Sequence, residues 1–162
     1  MLQPKIAIIM GSQSDLETMR EAVNLLKDFG VNVQVKVLSA HRTPKELTRY
    51  VEGAAKKGVK VFIAGAGGAA ALAGVIAAHT TLPVIGVPIE TKTLKGLDSL
   101  LSTVQMPAGI PVASMAIGKA GAKNAALFAL AILGSTDNKM RVKLISYKKA
   151  MINRIKAIKI KV

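Results

Sequence analysis

The stretch VFIAGAGGAAALAGVIAAHTTLPVIGVPI, residues 61–89, is the most informative about the fold. It contains no Asp, Glu, Lys or Arg. Its apolar length would suit a membrane span. However, three glycines interrupt its start, and the sequence TTLP breaks its end. The pattern instead predicts a buried strand, a glycine turn, a short Ala-rich helix and a second buried strand. Parallel sheets that are covered by helices on both faces produce such uncharged runs.

The sequence before this stretch alternates strand and helix in the same way. KIAIIM, residues 5–10, predicts a buried strand, and VNVQVKV, residues 31–37, predicts a second strand by its strict alternation. Each is followed by a predicted helix, with Gly30 and Gly58 as the stops. Two capping boxes are expected at the helix starts, at residues 14–17 and at residues 43–46.

The sequence after it adds a fifth strand and two helices. Beyond the predicted strand PVIGVP we expect a loop, then a strand over IPVASMAI, residues 110–117, then an apolar helix and a basic helix. The whole order predicts an α/β protein, a Rossmann-like three-layer sandwich with a central parallel sheet of the flavodoxin-like type. We expect one catalytic domain over residues 1–162, with residues 136–162 as a basic C-terminal helical extension.

Composition narrows the possible functions. The chain has no cysteine, which excludes disulfides and thiolate metal sites. Its start lacks the features of a signal peptide, so a cytoplasmic location is expected. The net charge is +14, and residues 136–162 hold +8 of it. Such charge suits nucleic acid, an anionic membrane or an anionic substrate, but aromatic residues are too few to stack many bases.

Ligands of open α/β sheets bind at the carboxyl ends of strands, and the first candidate loop there is GSQSD, residues 11–15. Amides at a helix N-terminus favour an anion such as phosphate. Gly11 would allow close approach, Ser12 could donate to a phosphate oxygen, and Asp15 could accept hydrogen bonds from sugar hydroxyls. Ser14 is expected to cap the helix, and capping alone would also explain the whole motif.

The second candidate loop, SAHR at residues 39–42, brings Ser39, His41 and Arg42 together after a strand. Imidazole can carry protons near neutral pH, and a guanidinium can hold phosphate or carboxylate with two parallel bonds. A solvent-exposed histidine beside an ordinary surface arginine is the alternative. The position at a strand end favours a functional role for these residues.

The third candidate loop is GAGGAAALAG, residues 65–74, which matches the dinucleotide-binding pattern G-x-G-x-x-A. Glu90, twenty residues after Ala70, could be the ribose-binding acid of such a site. That fingerprint normally opens the first βαβ unit, whereas here it lies in the third. Two alternatives are close helix–strand packing and a small pocket of backbone amides, at Gly67 and Gly68, for a carboxylate or carbon dioxide.

The remaining polar residues suggest no further site. His79 is expected to end the Ala-rich helix, since a cation is favoured there. No histidines or acids show the spacing of metal ligands, so we predict no metal.

Taken together, GSQSD, SAHRTP and QMPAGIPV resemble the motifs of the bacterial-type, class I PurE family, the N5-carboxyaminoimidazole ribonucleotide mutases of de novo purine synthesis. The similar segments run from about residue 6 to residue 133. The resemblance implies an isomerase that moves a carboxylate from an exocyclic amine to a ring carbon by decarboxylation and recarboxylation. It implies no cofactor, no nucleic-acid or membrane partner, and a homo-octamer.

The resemblance also implies roles for individual residues. His41 would be the general acid and base that shuttles a proton, Ser12 and Arg42 would contact the substrate phosphate, and Asp15 would contact the ribose hydroxyls. Ala71 and Ala73 depart from the family, which commonly has His and Pro there.

The tail departs as well, with an apolar stripe among its basic residues, and we expect this stripe to pack on a neighbouring subunit. Its residues are Leu144, Tyr147, Met151, Ile155, Ile158 and Val162.

Three alternatives remain from the sequence. One is the related carboxylase, which uses free carbon dioxide on the unsubstituted aminoimidazole ribonucleotide. The others are a nucleic-acid or membrane-surface module that binds through the basic tail, and a nicotinamide-binding domain.

Overall fold

The computed structural model describes residues 5–160 and contains a five-stranded parallel sheet with flanking helices. The strands lie in the order β2-β1-β3-β4-β5. This order confirms the predicted flavodoxin-like α/β fold. The strand bounds are β1 Ile6–Met10, β2 Val33–Val37, β3 Val61–Ala66, β4 Val84–Pro88 and β5 Ala113–Ser114.

Six α-helices connect or follow these strands, and most predicted helices are confirmed. Gly30 and Gly58, the predicted stops, adopt left-handed φ angles of 74° and 92°. His79 caps the end of the Ala-rich helix, as expected. The helix bounds are α1 Leu16–Asp28, α2 Pro44–Ala54, α3 Leu72–Ala78, α4 Leu97–Val104, α5 Gly118–Gly134 and α6 Asn138–Lys156.

The core forms on both faces of the sheet, because the central strands are apolar throughout. Every residue of β1 and β4 is buried. On one face, Leu47 of α2 and Ile76 of α3 join a cluster with Ile9 and Phe62 from the sheet. On the opposite face, α1 approaches so closely that a Cβ on Gly65 would lie 2.6 Å from the sulfur of Met19. The uncharged stretch 61–89 therefore forms two strands and a helix that lie largely in the core, joined by loops that are partly exposed.

The prediction of a loop before the fifth strand was wrong, because α4 occupies part of it. The usual amphipathic pattern is inverted in this helix. Ser99 and Thr103 are buried, whereas Leu97, Leu101 and Val104 are 51%, 48% and 48% exposed. A search for an apolar buried face therefore misses the helix.

The predicted fifth strand was too long. Residues 110–117 were expected to be extended, but β5 contains only Ala113 and Ser114, paired with Ile85 and Gly86 of β4. Pro111 has no backbone N–H to donate, which stops the ladder from starting earlier.

Neither predicted capping box forms, but near the first predicted position another one does. The box forms two residues earlier, where the Ser12 hydroxyl accepts from the Ser14 N–H and the Asp15 carboxylate accepts from the Ser12 N–H. At α2, Pro44 does occupy the first turn, but the Thr43 side chain makes no cap bond. Its hydroxyl instead accepts from the Ser39 N–H at 2.9 Å. In both cases the side chain that was predicted to cap the helix, Ser14 or Thr43, makes its hydrogen bonds within the loop instead.

The chain divides into two compact units between Ala129 and Leu130, within α5. The sheet lies in the first unit. In the second unit, Asp137 caps the start of α6, because its carboxylate accepts from the backbone N–H groups of Lys139 and Met140. Met151, Ile155 and Ile158 of the apolar stripe are exposed in the single chain, and Val162 lies outside the described residues. No helix among residues 5–160 is both long and apolar enough to cross a membrane.

Candidate active site

A cavity of about 530 Å³ opens at the carboxyl ends of β1, β2, β3 and β4. Neighbouring strands β1 and β3 send their chains in opposite directions across the sheet, and such a switch point is where doubly wound folds bind ligands. Seven of the eight predicted site residues line this cavity, namely Gly11, Ser12, Asp15, Ser39, His41, Arg42 and Gly67. The fold thus joins the three candidate loops at one place.

The loop after β1 is held rigid by its own side chains. The Asp15 carboxylate accepts from the Ser12 N–H at 3.0 Å, and the Ser12 hydroxyl oxygen accepts from the Ser14 hydroxyl at 3.0 Å. The Ser14 hydroxyl also lies 3.4 Å from the Asp15 carboxylate, so its single hydrogen can go to either partner. The Ser12 hydroxyl lines the cavity close to the N-terminus of α1, where it can donate to an anion.

Asp15 is a buried acid, with 7% of its surface exposed. Burial raises its pKa above the ordinary 3.8, because desolvation disfavours the charged form. Hydrogen bonds from Ser12, Ser14 and Gly11 and the positive charge of Arg42 oppose this rise. The carboxylate is thus embedded in a polar network, where it can accept from a ligand's hydroxyl groups.

Arg42 ties the loop after β2 to the loop after β1. One terminal nitrogen donates to the Gly11 carbonyl at 2.6 Å, and Nε lies 3.4 Å from the Ser39 hydroxyl. A guanidinium has five N–H donors, so several remain for an anion. Ser39 also accepts from the Arg42 backbone N–H at 3.2 Å, which fixes the turn.

His41 lines the cavity and is exposed to solvent. Within the described part of the chain, its imidazole makes no hydrogen bond or ion pair. Both ring nitrogens are therefore accessible to a ligand, as proton transfer to and from a substrate requires.

Gly68 is the predicted site residue that does not line the cavity. Its N–H donates to the Ser99 hydroxyl at 3.0 Å, and its φ is 70°. Its neighbours Gly67 and Ala69 do line the cavity, as does Ala71, at the position where the family commonly has His. The Gly-rich loop thus forms one wall with small side chains and backbone.

Sequence reasoning missed Thr91 and considered Glu90 only as part of a dinucleotide site, yet both line the cavity. They follow β4, and their position at a strand's carboxyl end was the available signal. No group of three or more His, Asp or Glu side chains within residues 5–160 could hold a metal ion. His79 instead lies 3.5 Å from Glu52, outside this cavity.

Comparison with known proteins gives consistent matches over nearly the whole chain. The AIR carboxylase family model matches residues 5–154. The N5-carboxyaminoimidazole ribonucleotide mutase of Saccharolobus solfataricus is 55% identical over 152 residues, which are 94% of this chain and 95% of that protein. The mutase of Bacillus subtilis is 57% identical over 143 residues, 88% of each chain.

The solved structures agree with these sequence matches. A crystal structure of a Treponema denticola PurE2 variant superposes with a TM-score of 0.86 at 26% identity, over 95% of this chain and 94% of that one. Sequence motifs, strand order and family match lead to the same assignment, and the resemblance predicted from the sequence is confirmed. The chain belongs to the AIR carboxylase family.

Proposed function

We propose that this chain is an N5-carboxyaminoimidazole ribonucleotide mutase, an isomerase of de novo purine synthesis. The observation that carries the proposal is that one cavity contains the imidazole of His41 beside two loops whose donors could bind an anion. Relatives that bear this name at 55% and 57% identity support the same reaction.

The substrate phosphate would lie between the loops that follow β1 and β2. The Ser12 hydroxyl and the remaining N–H groups of Arg42 would be the donors, and the positive end of α1 adds to them. Asp15 would accept hydrogen bonds from the ribose hydroxyls. Gly11 and Ser39 support the phosphate site, because Arg42 bonds to both.

His41 would move one proton. In its protonated form it donates to the exocyclic nitrogen as the nitrogen–carboxylate bond breaks, which releases carbon dioxide and the aminoimidazole. The ring carbon then attacks the retained carbon dioxide, and neutral His41 takes the proton that this carbon loses. The imidazole ends as it began, so the cycle needs no cofactor. The wall that contains Gly67 would hold the carbon dioxide.

The related carboxylase is not favoured, and an isotope experiment separates the two reactions. The mutase keeps its own carbon dioxide, so conversion in ¹³C-bicarbonate should give a product whose carboxylate is largely unlabelled. A carboxylase would act on the unsubstituted aminoimidazole ribonucleotide and would incorporate the label. ¹³C NMR of the product checks this, and no conversion of either substrate would overturn the proposal.

We also propose that the enzyme acts in the cytoplasm as a homo-octamer. The exposed apolar face of α4 supports assembly, because Leu97, Leu101 and Val104 are about half exposed in the single chain. Exposed Met151 and Ile155 of α6 support it as well.

A further inference from the structure

Ser99 is a polar side chain without solvent exposure, in the helix that sequence analysis missed. Its hydroxyl donates to the Ile89 carbonyl at 2.7 Å and accepts from the Gly68 N–H at 3.0 Å. Both of its hydrogen-bonding directions are thus used between two loops. These loops leave the neighbouring strands β3 and β4 at their carboxyl ends.

The two residues that Ser99 joins lie at the active-site cavity, because Ile89 lines it and Gly68 lies between two residues that line it. Gly67 and Ala69, on either side of Gly68, line the cavity, and so does Glu90, which follows Ile89. Ser99 itself does not line it. One hydroxyl therefore fixes the distance between two walls of a cavity that it does not enter.

The first turn of α4 makes a second set of hydrogen bonds, to the segment that follows β4. The Thr91 hydroxyl donates to the Asp98 carboxylate at 2.8 Å and accepts from the Gly96 N–H at 3.2 Å. Thr91 lines the cavity next to Glu90. The first turn of α4 thus holds the segment after β4, and Ser99 extends this support to the Gly-rich loop.

We propose that Ser99 is a positioning residue that holds the Gly-rich loop where carbon dioxide must be retained. The inference rests on the proposed function, because that loop is the wall assigned to the carbon dioxide. Gly68 then serves the site through its bond to Ser99, while its neighbours face the ligand. The Ile89 carbonyl is buried and the Gly68 N–H is partly buried, so both would take other partners once the hydroxyl is removed, and the loop would shift.

The expected effect falls on turnover rather than on substrate binding. The phosphate and ribose contacts lie on the loops after β1 and β2, which Ser99 does not touch. Misplacement of a reacting group by about 1 Å can lower the rate by about a hundredfold. Ser99→Ala should therefore lower kcat by about tenfold to a hundredfold, with KM within about threefold of wild type.

Thr103→Val is the matched control. Thr103 is also a buried hydroxyl of α4, and it donates to the Ser99 carbonyl at 2.7 Å, within the helix. The nearly isosteric Val removes a buried hydrogen bond of the same helix without touching either loop. Its kcat should stay within about twofold of wild type even where its melting temperature falls as far as that of Ser99→Ala.

Amide hydrogen exchange at Gly68, followed by NMR, provides a readout that does not depend on activity. The Gly68 amide should exchange faster in Ser99→Ala than in wild type or Thr103→Val. Equal loss of kcat in both variants, or unchanged kcat in Ser99→Ala, would overturn the inference. If wild type converts no substrate, the proposed function fails by itself, and unchanged Gly68 exchange in Ser99→Ala would then overturn the positioning role as well.

Discussion

At the scale of single residues, the cavity uses side chains that first serve their own loops. Ser12 and Asp15 form a capping box, and Arg42 bridges two loops through the Gly11 carbonyl. The sequence predicted that these residues act together, because strand ends converge at one edge of a parallel sheet. It could not predict that Ser12, rather than Ser14, caps the turn, because both are serines at compatible spacing and the choice depends on backbone angles.

Asp15 makes a pH-dependent contribution whose sign can be tested. Because its folded-state pKa is raised above 3.8, its contribution to stability is fully present below pH 3.8 and is lost as the pH rises through the folded value. Asn cannot ionise and has no such loss. The free energy of unfolding of Asp15→Asn, relative to wild type, should therefore rise over this window and then level off, as denaturant titrations at several pH values would show.

Glu17→Gln provides a control of opposite sign. Lys119 lies 2.9 Å from the exposed Glu17 carboxylate, and its hydrogen bond lowers the Glu17 pKa below 4.5. The stability from Glu17 is present above pH 4.5 and is lost as the pH falls through the folded value. The relative stability of Glu17→Gln should therefore fall as the pH rises. Trends of the same sign in both variants would contradict this account.

At the scale of elements, the sequence predicted the strands and helices that bury an apolar face and missed α4, which does not. The strands β1, β3 and β4 are short continuous apolar runs bounded by turn residues, and this pattern identifies them. The helix α4 was missed because its buried positions, Ser99 and Thr103, are polar. Ser99 is satisfied by the Ile89 carbonyl outside the helix, and Thr103 by the Ser99 carbonyl within it. The position of α4 depends on hydrogen bonds from Ser99 to Gly68 and Ile89, which lie elsewhere in the chain, so no local sequence pattern indicates it.

Gly121 of α5 lies where helix and preceding segment touch. A Cβ there would lie 1.6 Å from the Ala116 carbonyl oxygen, which is backbone and cannot rotate away. Gly121→Ala should lower the free energy of unfolding by about 1–3 kcal/mol or more. Gly53→Ala in α2, where a Cβ would meet nothing within 4 Å, should raise it by about 0.5–1 kcal/mol. Equal effects in chemical denaturation would contradict the proposed close contact.

At the scale of the whole molecule, the fold places the chemistry by topology. The order β2-β1-β3-β4-β5 creates the switch point, and the loops of four strands converge on it. The sequence predicted this convergence for the loops after β1, β2 and β3, from the order of elements alone. It was harder to predict that Glu90 and Thr91 line the cavity, since the residues that they meet there are distant in the chain.

The exposed apolar face of α4 makes the octamer testable. Leu101→Asp should lower the mass found by light scattering to that of smaller assemblies, because a charge would be buried in the proposed interface. Ser102→Asp, which adds the same charge at the next exposed position, should keep the assembly of wild type. A mass of one chain for the wild-type protein would contradict the proposed octamer.

A comparison of wild type with His41→Asn tests most directly whether the His41 imidazole moves the proton. Turnover of the ring-carboxylated ribonucleotide, run in reverse, is followed by its ultraviolet absorbance, and binding of the same compound is measured by calorimetry. The kcat of His41→Asn should be about a hundredfold to ten-thousandfold lower than that of wild type, while its Kd stays within a few fold of wild type. Turnover by His41→Asn at the wild-type rate would contradict the proposal that this imidazole moves the proton.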